Sequence, residues 1–160
     1  DNVEDGVIHD ASNPGYGAEM VTNGTFDDAS GWTLDAGHAG WAISGGTLTY
    51  TDDESSSNLS YADHFAYTDF TEGAIYKIEL DVIGTWRVLL YIKGGIAINA
   101  DLAPGHYVYY AAAGASTVIG IRLAAQLVVS NGSIDNLSVK KLNGNPGVTS
   151  GNPVFVKLPV

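Results

Sequence analysis

The chain has 160 residues and a mass of 16.7 kDa, which is the size of one ordinary domain. Its composition, 45% apolar and 10% aromatic, excludes a disordered chain. The absence of cysteine excludes a disulfide scaffold, a thiolate zinc site and thiol chemistry. With 16% charged residues and 20 glycines, the composition favours a turn-rich β protein.

The net charge of −11 is unevenly distributed along the chain. All seven basic residues stand from Lys77 onward, whereas fourteen of the eighteen acidic residues precede it. Nucleic acid is therefore not expected as a partner, because phosphate neutralisation requires clustered Lys and Arg. The acidic half would hold a hard cation, face a basic partner or simply keep the surface soluble.

Membrane insertion is not expected either, since no apolar run approaches the ~20 residues of a membrane span. We expect no signal peptide within these residues, and the start at Asp1 rather than Met predicts that a segment was removed or left out upstream.

Strand signals follow one another along the chain, and helix signals are nearly absent. Residues 41–44 and 47–51 flank the Gly45-Gly46 pair, which predicts a hairpin with a two-residue turn. Residues 75–83 alternate with a period of two, as in a half-buried strand, and residues 86–92 form the apolar run of a central strand. Further strands are predicted at residues 96–98, 106–112, 117–123 and 133–142.

Roughly eight to ten short strands at turn spacings of about 8–12 residues predict an all-β jelly-roll β-sandwich of antiparallel strands. We expect this sandwich to cover residues 18–142. Residues 1–17 are expected to form an extended N-terminal arm or linker, and residues 143–160 a turn-rich spacer with an extended C-terminal tail. In the last strand, strict alternation predicts residues 134, 136, 138 and 140 on one face and residues 135, 137, 139 and 141 on the other.

Two stretches at opposite ends of the sandwich carry a family resemblance. Residues 21–27 read Val-Thr-Asn-Gly-Thr-Phe-Asp before Gly31-Trp32, and residues 132–140 read Gly-Ser-Ile-Asp-Asn-Leu-Ser-Val-Lys. Together they resemble jelly-roll carbohydrate-binding modules over residues 19–142. With the Ile-Ser-Gly-Gly-Thr-Leu run at 43–48 and the Lys-Lys-Leu-Asn-Gly-Asn-Pro-Gly run at 140–147, the chain also resembles domains of bacteriophage virion and tail-fibre proteins.

The resemblance implies a non-enzymatic structural or interaction module, such as a phage capsid decoration, fibre or tail protein. Its expected place is the virion surface or the extracellular space, and its expected partners are other virion subunits in a homo-oligomer. Two alternatives stay open: a genuine carbohydrate-binding module for a cell-surface or polysaccharide glycan, and an extracellular filament subunit assembled through its terminal strand. Catalysis is not expected, because the four histidines lack metal-ligand spacing and no nucleophile or cofactor motif occurs.

Sugar rings stack on flat aromatic faces, so exposed aromatic residues are the glycan-binding candidates. By contrast, Trp32 and Trp86 lie in apolar, strand-like settings that are typical of a core. The glycan candidates are Tyr61, Tyr67, Trp41, Tyr107 and Tyr109.

The resemblance also implies one structural Ca²⁺, held by Asp27 and Asp135 with a carbonyl near Gly45 or Gly46. The first and last strands of a jelly roll are often neighbours, and two facing carboxylates repel unless a cation lies between them. The alternative is that Asp27 caps a turn and Asp135 is a solvated strand residue.

The terminal tail is the candidate assembly contact. Its apolar residues would be an aggregation hazard in water, which the sheet edge or groove of a neighbouring subunit would relieve. The alternative is that the tail folds back onto its own sandwich. The assembly candidates are Val154, Phe155, Val156 and Leu158.

Overall fold

The computed structural model describes residues 3–4, 7–8, 15–34, 40–51, 60–64, 70–84, 86–115, 120–125 and 132–143. Every regular element in these ranges is a β-strand. The strands are β1 (Val3–Glu4), β2 (Val7–Ile8), β3 (Tyr16–Glu19), β4 (Trp32–Leu34), β5 (Trp41–Ser44), β6 (Thr47–Tyr50), β7 (Ser60–His64), β8 (Ile75–Ile83), β9 (Trp86–Ile92), β10 (Gly95–Leu102), β11 (Gly105–Ala112), β12 (Ile121–Ala125) and β13 (Gly132–Leu142).

Two antiparallel sheets form a sandwich, which confirms the predicted fold class. The five-stranded sheet has the order β10-β9-β12-β7-β4. The six-stranded sheet has the order β11-β8-β13-β6-β5, and β3 pairs with β13 beside β6. Strands β1 and β2 pair only with each other among the described residues. The predicted hairpin at Gly45-Gly46 is present as β5 and β6.

The core lies between the inner faces of the two sheets. Strand β8 shows how the sequence makes it, because Tyr76, Ile78 and Leu80 are fully buried while the residues between them are partly exposed. Burying each such side chain contributes about 1.5–3 kcal/mol. Trp32 is buried here as predicted, and the side chain of Trp86 lies outside the described residues.

Strand β13 departs from the predicted alternation. Ile134, Leu137 and Val139 are all buried in the core. The register with β8 shifts between Asp135 and Ser138, where Asn136 adopts a φ of 52°. This β-bulge adds one residue to β13, so the prediction that residues 134 and 137 lie on opposite faces is wrong. Period-two counting cannot register an inserted residue, and asparagine tolerates the left-handed backbone that the bulge requires.

The sandwich also begins earlier than predicted. Strand β3 starts at Tyr16, which pairs with Leu142, and Glu19 pairs with Lys140. Residues 16 and 17, assigned from sequence to the N-terminal arm, therefore belong to the six-stranded sheet. The Glu19 carboxylate stabilises the pairing of β3 with β13 by accepting hydrogen bonds from the Val139 amide at 2.9 Å and the Ser138 hydroxyl at 2.6 Å.

Candidate functional site

The outward face of the five-stranded sheet carries a row of polar and aromatic residues. Residues 88, 90 and 92 of β9 are buried in the core, so alternation places Leu89 and Tyr91 on the opposite, outward face. Tyr91 lies directly opposite Arg122 of β12, which in turn lies opposite Asp63 of β7. We call Tyr91, Arg122 and Asp63 the sheet-face row.

The row is held together by an ion pair with two parallel hydrogen bonds. Arg122 donates from Nε to Asp63 Oδ1 and from Nη2 to Asp63 Oδ2, both at 2.6 Å. The side chains are only 25% and 14% exposed. A bidentate pair of this kind fixes the plane of the guanidinium as well as its position. The sheet face therefore presents a rigid, planar polar group in the same cross-strand row as Tyr91.

A second row on the same face has an apolar centre. Leu89 lies opposite Asn99 of β10 on one side and Ala124 of β12 on the other, and Ala124 lies opposite Tyr61 of β7. Leu89 faces outward but is only 5% exposed, so neighbouring groups cover it. The register places the predicted residue Tyr61 in this row, although its side chain lies outside the described residues.

The other predicted glycan residues are not on this face. Trp41 belongs to the core, where it is 8% exposed and packs against Tyr50 at a ring distance of 5.0 Å. The expectation that Trp41 offers an open ring to a sugar is corrected by this burial, because its apolar surface already serves the core. Tyr67 lies outside the described residues.

Tyr107 and Tyr109 lie on the inner side of β11, at the edge of the six-stranded sheet. Their rings stack at 6.2 Å with an interplanar angle of 10°, and both are half-buried against the core. The Tyr107 hydroxyl donates to the Ala103 carbonyl at 2.8 Å, and burial raises the pKa of Tyr109. They are thus separated from the sheet-face row by the five-stranded sheet itself, and whether they bind a glycan stays a prediction.

Sequence reasoning missed Tyr91, Arg122 and Asp63. Residues 86–92 are predicted as a nearly continuous apolar central strand, and one signal is present there: Tyr91 interrupts the aliphatic residues at 88–92. A similar signal is Arg122, which stands between the apolar residues Ile121 and Leu123. A polar or amphipathic residue inside a central strand marks the face that does not enter the core.

The outward face of the six-stranded sheet differs in character, because its side chains bond to one another. Asp81 accepts a hydrogen bond from Asn136 Nδ2 and pairs with His106 Nδ1, both at 2.7 Å. The Asn136 hydrogen bond holds the pKa of Asp81 below its usual value; burial opposes this shift, and the His106 contact adds a further, smaller lowering. The hydroxyls of Tyr16 and Tyr110 bond at 2.9 Å. These contacts stabilise the surface rather than open it to a ligand.

The segments of the predicted calcium site do meet. The Leu137 amide donates to the Gly24 carbonyl at 2.9 Å, which joins the loop of Asp27 to the bulge that follows Asp135. A Cβ on Gly46 would lie 3.8 Å from the Thr25 carbonyl oxygen, so the hairpin turn approaches the same loop. Two carboxylates and nearby carbonyls are ligands that suit Ca²⁺.

Local partners also occupy these carboxylates, as the alternative requires. Asp27 Oδ2 accepts from the Thr25 hydroxyl at 2.7 Å, and Asp135 Oδ1 accepts from the Asn136 amide at 2.6 Å. No group of three or more His, Cys, Asp or Glu side chains in the described ranges is placed to hold a metal. The calcium site stays a prediction.

Chelation tests this prediction. If Ca²⁺ bridges Asp27 and Asp135, saturating Ca²⁺ is expected to stabilise the fold by about 3 kcal/mol at a concentration 100-fold above its Kd. Thermal melts with Ca²⁺ and with EDTA should then differ for the wild type and coincide for Asp135→Ala. Identical wild-type melting temperatures in the two buffers would refute the proposed metal site.

Only the comparison with solved structures finds proteins that are similar to this chain. No family model matches the sequence, and no curated protein matches it. Among the solved structures that match is the N-terminal cellulose-binding domain of β-1,4-glucanase C from Cellulomonas fimi, solved by NMR. The TM-score is 0.47 and the identity 19%, over 78% of this chain and 95% of that domain. The function proposed below therefore rests on the residues of this chain.

The expectation that no segment of the chain spans a membrane can be compared with the helices of the structure. Within the part of the chain that the structure describes, no helix is long and apolar enough to cross a bilayer.

Proposed function

We propose that this protein is a non-catalytic, extracellular carbohydrate-binding domain that holds a glycan on the outward face of its five-stranded sheet. The observation that carries the proposal is the position of Tyr91 beside the bidentate Arg122–Asp63 pair in one cross-strand row. The geometry of this face favours this alternative over the virion role that the resemblance implies.

The chemistry of the row suits a sugar. A pyranose ring has apolar C–H faces, which stack on an aromatic ring, and a rim of hydroxyls, which bond to planar charged groups. Tyr91 is half-buried and supplies the aromatic surface. Arg122 and Asp63 supply a donor and an acceptor whose positions the ion pair has already fixed, so little conformational entropy is lost on binding.

The dimensions of the site favour a chain of sugars over a single ring. Tyr91 and Asp63 are two strand spacings apart, or about 10 Å. In the neighbouring row Leu89 is covered, but Asn99 is exposed and extends the polar surface along β10. A glycan chain lying across β9, β12 and β7 would contact both rows.

The net charge of the protein favours neutral glycans over acidic ones. At −11, the protein repels polyanions such as uronic-acid or sulfated polysaccharides over the range of a Debye length. The charged pair on the sheet face is internally neutralised and adds no positive field. We therefore propose a neutral polysaccharide as the ligand.

The virion role has no counterpart in the contacts of the described residues. Its assembly candidates, Val154, Phe155, Val156 and Leu158, lie outside them. Membership of a phage particle or filament and a homo-oligomeric state stay predictions from the resemblance.

A tyrosine substitution on each sheet face tests the proposal. Tyr91→Ala is expected to weaken binding to a neutral polysaccharide about tenfold or more, because it removes the stacking surface. Tyr16→Ala is the matched control, since Tyr16 is an exposed tyrosine on the outward face of the other sheet. Affinity electrophoresis against a panel of neutral and acidic soluble polysaccharides would rank the ligands, and calorimetry would give the Kd.

Two outcomes would refute the proposed site. One is the absence of binding across the whole panel by the folded wild-type protein. The other is an equal loss for Tyr91→Ala and Tyr16→Ala, which would place the ligand elsewhere.

A further inference from the structure

Ile96 is the most exposed large apolar side chain in the described ranges, at 55%. It lies in β10, and its partner in β9 is Tyr91 of the sheet-face row. Directly opposed residues of an antiparallel pair place their side chains on the same face of the sheet, with Cα atoms about 4.5–5.5 Å apart. Ile96 therefore extends the sheet-face row to the edge strand of the five-stranded sheet.

The outward position of Ile96 depends on an irregularity in β10. Ile98 is buried on the inner face, so strict alternation would place Ile96 on that face as well. In an unbroken register, Ile96 would lie opposite Ile92, which is fully buried. The register instead shifts between Ile96 and Ile98, so that Ala97 is buried and Ile96 lies opposite Tyr91. The irregular strand thus exposes an isoleucine that a regular strand would bury.

Exposure of a large aliphatic side chain opposes the hydrophobic effect, which favours its transfer to the core. Bulges of this kind often lie beside functional sites, where they redirect a side chain. The other aliphatic residue on the outward face of β9, Leu89, is covered by its neighbours. The apolar surface that this region offers to solvent is therefore concentrated at Ile96, next to the ring that the proposed site uses.

The opposite end of the same row is polar. Thr33 of β4 is exposed and lies opposite Asp63 of β7. The row then crosses all five strands of the sheet, a distance of four strand spacings or about 19 Å. In strand order it consists of Ile96, Tyr91, Arg122, Asp63 and Thr33.

The apolar end of the row suits one part of a sugar. Tyr91 is half-buried, and the aliphatic side chain of Ile96 adds apolar surface beside it. The C–H face of a pyranose ring gains free energy when both surfaces remove it from water. A charged or hydroxyl substituent on that face would lose its hydrogen bonds to water, and Ile96 offers no replacement. This end of the row therefore favours a ring face that carries only C–H groups.

We propose that Ile96 and Tyr91 form an apolar subsite for the C–H face of one sugar ring at the β10 end of the sheet-face row. In this assignment, Ile96 is a specificity-determining residue, and the irregularity in β10 positions it. The inference rests on the proposed function, because the subsite holds the same glycan. The hydroxyls of the adjoining sugar then lie toward Arg122 and Asp63.

An isoleucine substitution on each sheet tests the subsite. Calorimetry would use four soluble neutral polysaccharides: a mixed-linkage glucan, a xylan, a galactomannan and a dextran. Ile96→Ser is expected to raise the Kd for the polysaccharide that binds best about fivefold or more, because it removes the aliphatic surface. Ile83→Ser is the matched control, since Ile83 is 50% exposed and belongs to the six-stranded sheet. Its Kd should stay within about twofold of the wild type.

A conservative variant and a direct contact measurement separate binding from structure. Ile96→Leu keeps an aliphatic side chain of the same size and should retain the wild-type affinity. In NMR spectra of the wild type with an oligosaccharide cut from the same polysaccharide, nuclear Overhauser effects are expected between the Ile96 methyl protons and the sugar ring protons. None is expected from the Ile83 methyl groups. Thermal melts of all three variants should remain close to the wild type, because both isoleucines are exposed.

The outcomes distinguish the subsite from the proposed function. An unchanged Kd for Ile96→Ser, with Tyr91→Ala still weakening binding, would overturn the subsite and leave the function standing. Equal losses for Ile96→Ser and Ile83→Ser would also overturn it, as would an Ile96→Leu affinity as low as that of Ile96→Ser. Absence of binding to all four polysaccharides by the folded wild-type protein would overturn the subsite together with the function.

Discussion

Replacing Asp63 with alanine is expected to lower both the free energy of unfolding and the affinity for glycan. The substitution removes the carboxylate that accepts two hydrogen bonds from Arg122. Breaking a fully buried ion pair costs about 3–5 kcal/mol. Since Arg122 and Asp63 retain some exposure, solvent screening reduces the expected loss to about 2 kcal/mol. Affinity falls because the Arg122 guanidinium loses the partner that fixes its plane and position in the sheet-face row.

Urea unfolding measures the first effect and calorimetry with the best polysaccharide measures the second. Asp63→Asn keeps one acceptor oxygen and should lie between the wild type and Asp63→Ala. Lys140→Ala is the control, since its pair with Glu19 is 3.9 Å long and both side chains are more than a third exposed. Its stability should change by less than about 0.5 kcal/mol. Equal unfolding midpoints for Asp63→Ala and Lys140→Ala would show that the sheet-face ion pair does not hold the site.

Gly24→Ala is expected to be the more damaging substitution for the fold. A Cβ at this position would lie 1.9 Å from the Leu137 carbonyl oxygen, which belongs to the backbone and cannot turn aside as a flexible side chain can. The loop would have to leave the bulged strand, losing the hydrogen bond from the Leu137 amide and disturbing the packing of Phe26 on Trp32. We expect a loss of about 3 kcal/mol or more.

Gly17→Ala provides the matched control for this clash. Its added Cβ would meet the Lys141 Cβ at 3.5 Å, an ordinary contact, so its melting temperature should stay close to that of the wild type. Thermal melts followed by near-UV circular dichroism would compare the two variants. If Gly24→Ala and Gly17→Ala have the same melting temperature, the close approach of the Gly24 loop to β13 is not required for stability.

Local patterns determined much of the fold. The alternation of residues 75–83 specified β8 and its buried face, and the Gly45-Gly46 pair specified the hairpin of β5 and β6. Both features depend on residues within one strand or one turn: a period of two selects a face, and glycine provides the positive φ of 63° and 77° that this turn requires. The local sequence therefore contains all the information that specifies these two features.

The candidate site could not be predicted in the same way. Asp63, Tyr91 and Arg122 lie about 30 residues apart, and nothing in their local sequences specifies that β9, β12 and β7 are adjacent. Their meeting depends on strand order and on register, because a slip of one residue would turn the side chains of a strand to the opposite face. The prediction of the glycan residues depends on side-chain chemistry alone, and Trp41, which has that chemistry, lies in the core.

The sequence by itself determined that this chain is an all-β sandwich, since burying one face of each amphipathic strand leaves few other solutions. Tertiary structure decided what each outward face offers. It inserted a bulge at Asn136 that turns Leu137 into the core, and it placed Arg122 between Tyr91 and Asp63. Hydrophobic burial is non-directional and follows from composition and period, whereas an ion pair or an edge hydrogen bond needs two particular strands in one particular register.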